Sequence, residues 1–343
     1  MEYAAKNLVS GGPNLNNLSV VVLRDGLDPP EDCLEMLTTQ ARLQVVSEGD
    51  LGDVIDSADV LFVWPFRVPT LRSNWQRAKR LKWIHTATAG VDGLMFAELQ
   101  ESDIVVTNSR GVFELAIAEY TLGLLLMFRK DLLTTVRLQQ KRQWRHRETG
   151  RLAGARLVVI GAGPIGREIG LLARCLGVEV EVVARRRREN DPDFGVVRAV
   201  DELHGLLGRA DFVVVATPLT RETRGLIGVD EIEAMKPGAY LINVGRGAVV
   251  DEVALLSGLE SGRIAGAALD VFEKEPLRDD HPFWNRSDVV VSPHMSADAA
   301  GWQKAVTSVF AENLRRYSSG EELLNRVDKR SGYGGGFQAD LQE

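Results

Sequence analysis

A strand, a glycine run and a helix follow one another without a gap in ARLVVIGAGPIGREIGL, residues 155 to 171, and no other stretch restricts the fold as much. Gly161 would permit a tight turn, Gly163 would let the backbone approach a pyrophosphate, and Gly166 would let helix and strand pack closely. Pro164 and Ile165 open the helix, whose free N–H groups and positive dipole end would face the phosphates. The spacing alone is weak. The strand before it and the helix after it make Gly161, Gly163, Pro164, Ile165 and Gly166 a candidate dinucleotide loop, with a ligand-free glycine turn as the alternative.

The rest of the chain fits that junction into a pattern. Short β-branched runs alternate with helical stretches: SVVVL at 19–23, DVLFVW at 59–64, KWIHT at 82–86 and IVVTN at 104–108. A second series starts at Ala155 and continues through VEVEVVA, DFVVVAT, AYLINV, IAGAALDV and DVVVSPH. Such alternation predicts parallel sheets covered by helices, hence an α/β protein of two Rossmann-like or flavodoxin-like units. Between the series, Leu115, Ala118, Leu122, Leu125 and Leu126 have the spacing of one helical face, which predicts a long connecting helix from Phe113 to about Lys141. The stretch from about Gly301 to Val327 reads as helical. Residues 331–343, rich in glycine, read as a disordered tail.

Whole-chain figures exclude several classes of function. With 343 residues and 45% apolar content the chain can bury a sizeable core. A formal charge of −7 argues against a nucleic-acid partner, because backbone affinity depends on accumulated Lys and Arg. The two cysteines, Cys33 and Cys175, suggest neither a disulfide framework nor a metal site. No apolar run approaches a membrane span and the first residues do not read as a signal peptide, so a cytoplasmic protein is expected.

The strand after the glycine loop should end at the residue that meets the adenosine ribose. An acid there would accept from the 2′-hydroxyl of NAD, whereas arginine would accommodate a 2′-phosphate. The sequence has Ala184 followed by Arg185, Arg186, Arg187 and Arg188. NADP(H) is therefore preferred over NAD(H), with Arg185 and Arg186 as the candidate phosphate ligands. The alternative is a solvated loop.

A dinucleotide site names no reaction, so the chemistry must come from elsewhere. Arg246 in VGRG, the acidic segment from Asp270 to Leu277, and Ser292-Pro293-His294 each follow a strand of the second series, where ligands of such sheets bind. Reducing a 2-oxo acid needs a cation for the carboxylate and carbonyl and a proton donor that works near neutral pH. Arginine suits the first role and histidine, beside a carboxylate, the second.

With these motifs in view, the chain resembles the D-2-hydroxyacid dehydrogenase family. GAGPIG, ATPLTRETRGLI (216–227), LINVGRG, DVFEKEPL and SPHMS stand in the family order and at similar spacing. The resemblance implies a substrate domain of residues 1–111 plus 296–330 and an inserted nucleotide domain of 112–295, with hinges near Gly111 and Ser296. It implies that Arg246 binds substrate, that Glu275 pairs with the imidazole and that His294 is the general acid/base. It further implies that Ala89 and Gly90 hold the substrate carboxylate by backbone N–H groups, and that Thr217, Pro218, Asn243 and Asp270 line the cofactor. The glycines beside Arg246 are expected to give its backbone freedom to aim the guanidinium. Trp64, similar to a tryptophan of glyoxylate and hydroxypyruvate reductases, and Arg67 are candidate substrate contacts.

The resemblance also implies a small 2-oxo or 2-hydroxy acid as substrate and a homodimer, for which Ile117, Tyr120 and Leu124 would offer apolar surface. No metal, nucleic acid or membrane partner is expected. His85, His146, His204 and His281 read as structural or exposed. Rival readings are a dinucleotide-sensing protein of the corepressor type and a phosphoglycerate, formate or phosphonate dehydrogenase. The phosphoglycerate reading is weakened because no regulatory domain follows residue 330.

Overall fold

A computed structural model of the protein describes residues 18–24 and 29–329. Its chain forms two compact units: one takes the described residues up to Val112 together with those from Ala300 onward, the other Phe113–Ala299.

In the first unit, β1 (Ser19–Arg24), β2 (Arg42–Ser47), β3 (Val60–Val63), β4 (Trp83–Thr86) and β5 (Val105–Thr107) form a parallel sheet in the order β2-β1-β3-β4-β5. Val20 to Leu23 and Val60 to Val63 are buried, as expected of central parallel strands covered on both faces. The helix Trp302–Ser319 returns to this sheet from the far end of the chain, with Phe310 stacked on Phe62 at 4.1 Å and beside Trp83 at 5.2 Å between ring centroids. Strand order reverses between β1 and β3, so the carboxyl ends of this sheet, where Trp64 follows β3, are the expected ligand side.

In the second unit the strands are β6 (Arg156–Ile160), β7 (Glu179–Ala184), β8 (Arg188–Asp191), β9 (Gly195–Ala199), β10 (Phe212–Val215), β11 (Ala239–Asn243), β12 (Ile264–Leu269) and β13 (Val289–Val291). Their order is β13-β12-β11-β10-β6-β7-β9-β8, parallel except for the β8–β9 hairpin. The core beneath the sheet includes Val158, Ile160, Val213, Val215, Leu241, Ala267 and Leu269. Here the order reverses between β6 and β10. Gly161 follows one of these strands and Ala216 to Pro218 follow the other, which places both at the switch point.

Three expectations need correction. The connecting helix is two helices, Glu114–Arg129 and Leu132–Gln140, broken where Asp131 takes a left-handed conformation (φ 49°) and its carboxylate binds Arg147 at 2.7 Å. The buried face of the first is Ile117, Ala118, Thr121, Leu124, Leu125 and Phe128, while Leu115 and Leu126 point outward. A helix apolar on several sides does not reveal by its spacing which side is covered. The last helix stops at Ser319, because Gly320 (φ 70°) supplies a left-handed cap.

The chain passes into the second unit at Phe113, just after Gly111 (φ 98°), and leaves it at Ala299. Ser296 thus lies within the second unit, three residues before its end. The expected tail at 331–343 lies outside the described residues. No described helix is long and apolar enough to cross a membrane.

Candidate active site

Arg246 sits in a turn that its neighbours build. β11 ends at Asn243, which is 1% exposed. Its Oδ1 accepts from the Gly245 N–H and its Nδ2 donates to the Arg246 carbonyl, both at 3.1 Å. Asn243 is therefore committed to shaping the turn. Neither Gly245 nor Gly247 is among the positive-φ glycines, so conformational freedom does not explain them, contrary to expectation. Close approach does: a Cβ on Gly245 would fall 2.6 Å from the Thr217 carbonyl oxygen, and one on Gly247 would fall on the Phe272–Glu273 backbone. Arg246 itself is extended (φ −140°, ψ 139°), and its guanidinium donates to the Gly245 carbonyl at 2.8 Å.

His294 hangs on two carboxylates. Asp270, 2% exposed after β12, accepts at Oδ1 from the Ser292 hydroxyl (2.6 Å) and the Met295 N–H (3.0 Å), and at Oδ2 from the Ser296 N–H (2.9 Å). Both oxygens of Asp270, a residue expected to line the cofactor, thus hold the loop around His294. That loop holds His294 at φ 54°, a left-handed conformation uncommon for a non-glycine residue. Glu275 accepts from the Phe272 N–H at 2.9 Å through Oε1 and lies 2.9 Å from His294 Nδ1 through Oε2. Burial pushes the Glu275 carboxyl up, but the His294 hydrogen bond and charge, the Phe272 N–H and the charge of Arg246 outweigh it, and its pKa lies below the usual value. An ionised Glu275 fixes the ring with its proton on Nδ1. Nε2 is then the atom able to exchange a proton.

The sequence did not single out Asp298, whose carboxyl is pushed up by burial and by Asp270 against the opposing charge of His294. It follows SPHM with no motif of its own.

The glycine loop divides into structural and open positions. Gly161 (φ 122°) donates its N–H to Val183 at 2.9 Å, and a Cβ there would lie 2.6 Å from the Ala216 carbonyl. A Cβ on Gly166 would fall on the Gly161 carbonyl. Gly163, which caps the helix Pro164–Cys175, has open space where its side chain would be. The residues therefore fit a dinucleotide pyrophosphate: two glycines fold the turn, and the third leaves room for phosphate oxygens at a helix N-terminus. Beside it, Thr217 lies against Gly161 and Gly245, and the Pro218 carbonyl accepts from the Thr223 hydroxyl at 2.6 Å.

The four arginines separate into two pairs. Arg187 binds Glu189 at 2.7 Å and Glu202 at 2.8 Å, and Arg188 lies 3.7 Å from Asp191. Arg185 and Arg186 are exposed and have no hydrogen bond or ion pair among the described residues. Arg185 does exert its charge on Glu222.

In the first unit, the loop after β4 has its carbonyls tied inward. The Thr86 carbonyl accepts from Ser109 Oγ (3.0 Å), Thr88 from the Ser109 N–H (3.1 Å), Ala89 from Asn108 Nδ2 (2.6 Å) and Gly90 from Thr88 Oγ1 (2.6 Å). The N–H groups of Ala89 and Gly90 have no acceptor among the described residues. Trp64, 5% exposed, stacks on Trp302 at 5.8 Å, and its indole Nε1 is buried with no partner among the described residues. Arg67 is exposed, near Gly93. Sequence reasoning missed Asn108 and Ser109, although two polar residues directly after an apolar strand were a signal.

Residues 122–296 match the family model described as D-isomer specific 2-hydroxyacid dehydrogenase, NAD binding domain. The chain is 33% identical over 303 residues to a D-3-phosphoglycerate dehydrogenase of Methanocaldococcus jannaschii, covering 87% of this chain but 57% of that protein. To a glyoxylate reductase of Aeropyrum pernix it is 33% identical over 263 residues, 74% of this chain and 78% of the relative. A crystal structure of a D-isomer specific 2-hydroxyacid dehydrogenase from Xanthobacter autotrophicus Py2, in complex with NADPH and MES, aligns with a TM-score of 0.78 at 31% identity, covering 94% of this chain and all of that one.

Proposed function

The chain belongs to the D-isomer specific 2-hydroxyacid dehydrogenase family, and from that premise we propose that it reduces a small 2-oxo acid to the D-2-hydroxy acid with NADPH. The observation that carries the reading is the Glu275–His294 pair at 2.9 Å in the electrostatic reach of Arg246. A bound nicotinamide dinucleotide supplies the hydride that the carbonyl carbon receives. The protein's own residues supply the rest. Arg246 binds the carboxylate and polarises the carbonyl, a task its planar, permanently charged fork suits. His294 gives the proton at Nε2 to the carbonyl oxygen, and takes it back in the reverse direction. Glu275, ionised because its pKa is depressed, holds Nδ1–H and stabilises the charged ring.

In the same reading the Ala89 and Gly90 N–H groups bind the carboxylate, since their lack of acceptors among the described residues suits anion capture. Trp64, with its unpartnered indole N–H, and Arg67 contact the substrate. Gly163 and the start of the helix Pro164–Cys175 take the pyrophosphate. Arg185 and Arg186, the two arginines of the run with no hydrogen bond or ion pair among the described residues, take the 2′-phosphate. The exposed Leu115 and Leu126 belong to a homodimer interface.

The test is NADPH and NADH consumption by the purified chain with glyoxylate, hydroxypyruvate, pyruvate and bulkier 2-oxo acids. Turnover of at least one acid, faster with NADPH, is expected. Binding of dinucleotide without turnover of any acid would overturn the reading.

A further inference from the structure

The polar residues buried beside the 86–90 loop form a chain whose hydrogen positions are set from its Ser109 end. Trp83 Nε1, a donor only, lies 2.8 Å from Thr107 Oγ1. Thr107 Oγ1 lies 2.7 Å from His85 Nδ1, and His85 Nε2 lies 3.2 Å from Ser109 Oγ. Ser109 Oγ donates to the Thr86 carbonyl, an acceptor only, at 3.0 Å. With its single hydrogen committed there, Ser109 must accept from His85, so Nε2 carries the proton. Thr107 already accepts from Trp83, and its own hydrogen finds its acceptor in His85 Nδ1. The Ser109 end demands this tautomer, and the Trp83 end agrees with it.

We propose that His85 is a positioning residue for the oxo acid: through this one-directional chain it holds the loop in the form that leaves the Ala89 and Gly90 N–H groups available to a carboxylate. The inference rests on reading those two N–H groups as substrate donors. Ser109 is the link, because its hydroxyl holds the Thr86 carbonyl while its N–H holds the Thr88 carbonyl at 3.1 Å. A second short chain runs the same way, with Thr86 Oγ1 2.9 Å from Thr88 Oγ1 and the latter donating to the Gly90 carbonyl. His85 is fully buried among Phe62, Trp83 and Phe310, with ring centroids 5.3 to 6.2 Å away. Burial pushes its imidazole down to about 3, so it is neutral at pH 7 and its two nitrogens keep distinct donor and acceptor roles. An apolar ring of similar size would fill this space yet leave the Thr107 hydrogen without its His85 acceptor and Ser109 Oγ without its His85 donor, and the loss of a hydrogen bond by a fully buried hydroxyl is costly. The loop would then settle into other positions.

Two measurements on the full chain test the inference, one by NMR with NADP+ bound and one by kinetics with NADPH. In the ring-nitrogen NMR spectrum at neutral pH, His85 should carry its proton on Nε2; a proton on Nδ1 overturns the proposal without any variant. In kinetics, His85→Phe should raise KM for glyoxylate about two- to tenfold, the worth of one hydrogen bond. Its kcat and NADPH affinity should stay near wild type, and His85→Gln, which can both donate and accept, should recover part of the loss. An unchanged KM in folded His85→Phe overturns the proposal. Oxalate titration of the wild-type protein separates this failure from that of the underlying reading. If the Ala89 and Gly90 amide signals follow oxalate binding while His85→Phe binds and turns over normally, only the His85 role is wrong. If those amides ignore oxalate, the loop is not the carboxylate site and the inference falls with it.

Discussion

The carboxylate of Asp270 and the backbone of Ser296 meet at 2.9 Å, and this contact, with the one to Met295, suspends the loop of His294 from a buried acid at the end of β12. The backbone around the proposed general acid is thus set by a buried carboxylate. Asp270→Ala would strip three hydrogen bonds and leave two backbone donors unsatisfied, each costing about 1 to 3 kcal/mol if it stays buried. We expect a drop in thermal stability and a loss of kcat of at least about tenfold, with NADPH affinity little changed. Lost NADPH affinity at normal kcat would instead assign Asp270 to the cofactor.

Arg246 and His294 should fail in different ways. Lysine cannot reproduce the bidentate fork, so Arg246→Lys is expected to raise KM and lower kcat together while NADPH binding persists. His294→Ala is expected chiefly to lower kcat, by roughly 10²- to 10⁴-fold. If Arg246→Lys abolished NADPH binding and left KM for the acid unchanged, the arginine would belong to the dinucleotide.

Glu275 makes a pH prediction with a definite sign. Its pKa is depressed below the ordinary 4.5 by contacts that exist only in the folded chain. The pair therefore contributes stability above that ordinary value, and the contribution is lost as pH falls through the depressed folded value. Glu275→Gln removes the charge that stabilises the protonated ring. The pH above which reduction declines should then move downward, measured as kcat/KM against pH with glyoxylate. An unshifted profile would show that the carboxylate does not govern the proton donor.

The proposed preference for NADPH rests on two of four arginines. Substituting Arg185 and Arg186 by alanine should weaken NADPH at least about tenfold and NADH little, as expected for lost charge-assisted bonds. Arg187→Ala should not discriminate, because its guanidinium is occupied by Glu189 and Glu202. Equal losses for both cofactors in the double variant would reduce the run to a solvated loop.

Assembly can be read by sedimentation. Leu115 and Leu126 are eleven residues apart and so share one helical face, 53% and 36% exposed. A dimer at micromolar concentration is expected, dissociating when both are replaced by glutamate. A wild-type monomer would remove the proposal.

The amino-acid sequence by itself determined the two α/β units, the glycine turn and the three chemical groups Arg246, Glu275 and His294. The units, the turn, Arg246 and His294 follow from local signals (β-branched runs, a strand–glycine–helix junction, charged residues after strands), whereas Glu275 was picked out of its acidic segment by the family resemblance. Tertiary structure decided what depends on another segment's position. Gly245 and Gly247 are required by the backbones of Thr217 and Phe272–Glu273, distant in sequence, and no local pattern distinguishes that demand from a need for positive φ. The helix after Phe113 is apolar around much of its circumference, so only packing chose Ile117 and Leu124 for the interior and Leu115 for the outside. Asp270 was expected near the cofactor by the family resemblance, and only the fold shows Ser292, Met295 and Ser296 donating to its two oxygens. His85 is one polar residue in an apolar strand, and its meaning appears only when Trp83, Thr107 and Ser109 are brought around it. A buried polar atom must be satisfied by whatever the fold delivers, and that partner is set by three-dimensional proximity rather than by spacing along the chain.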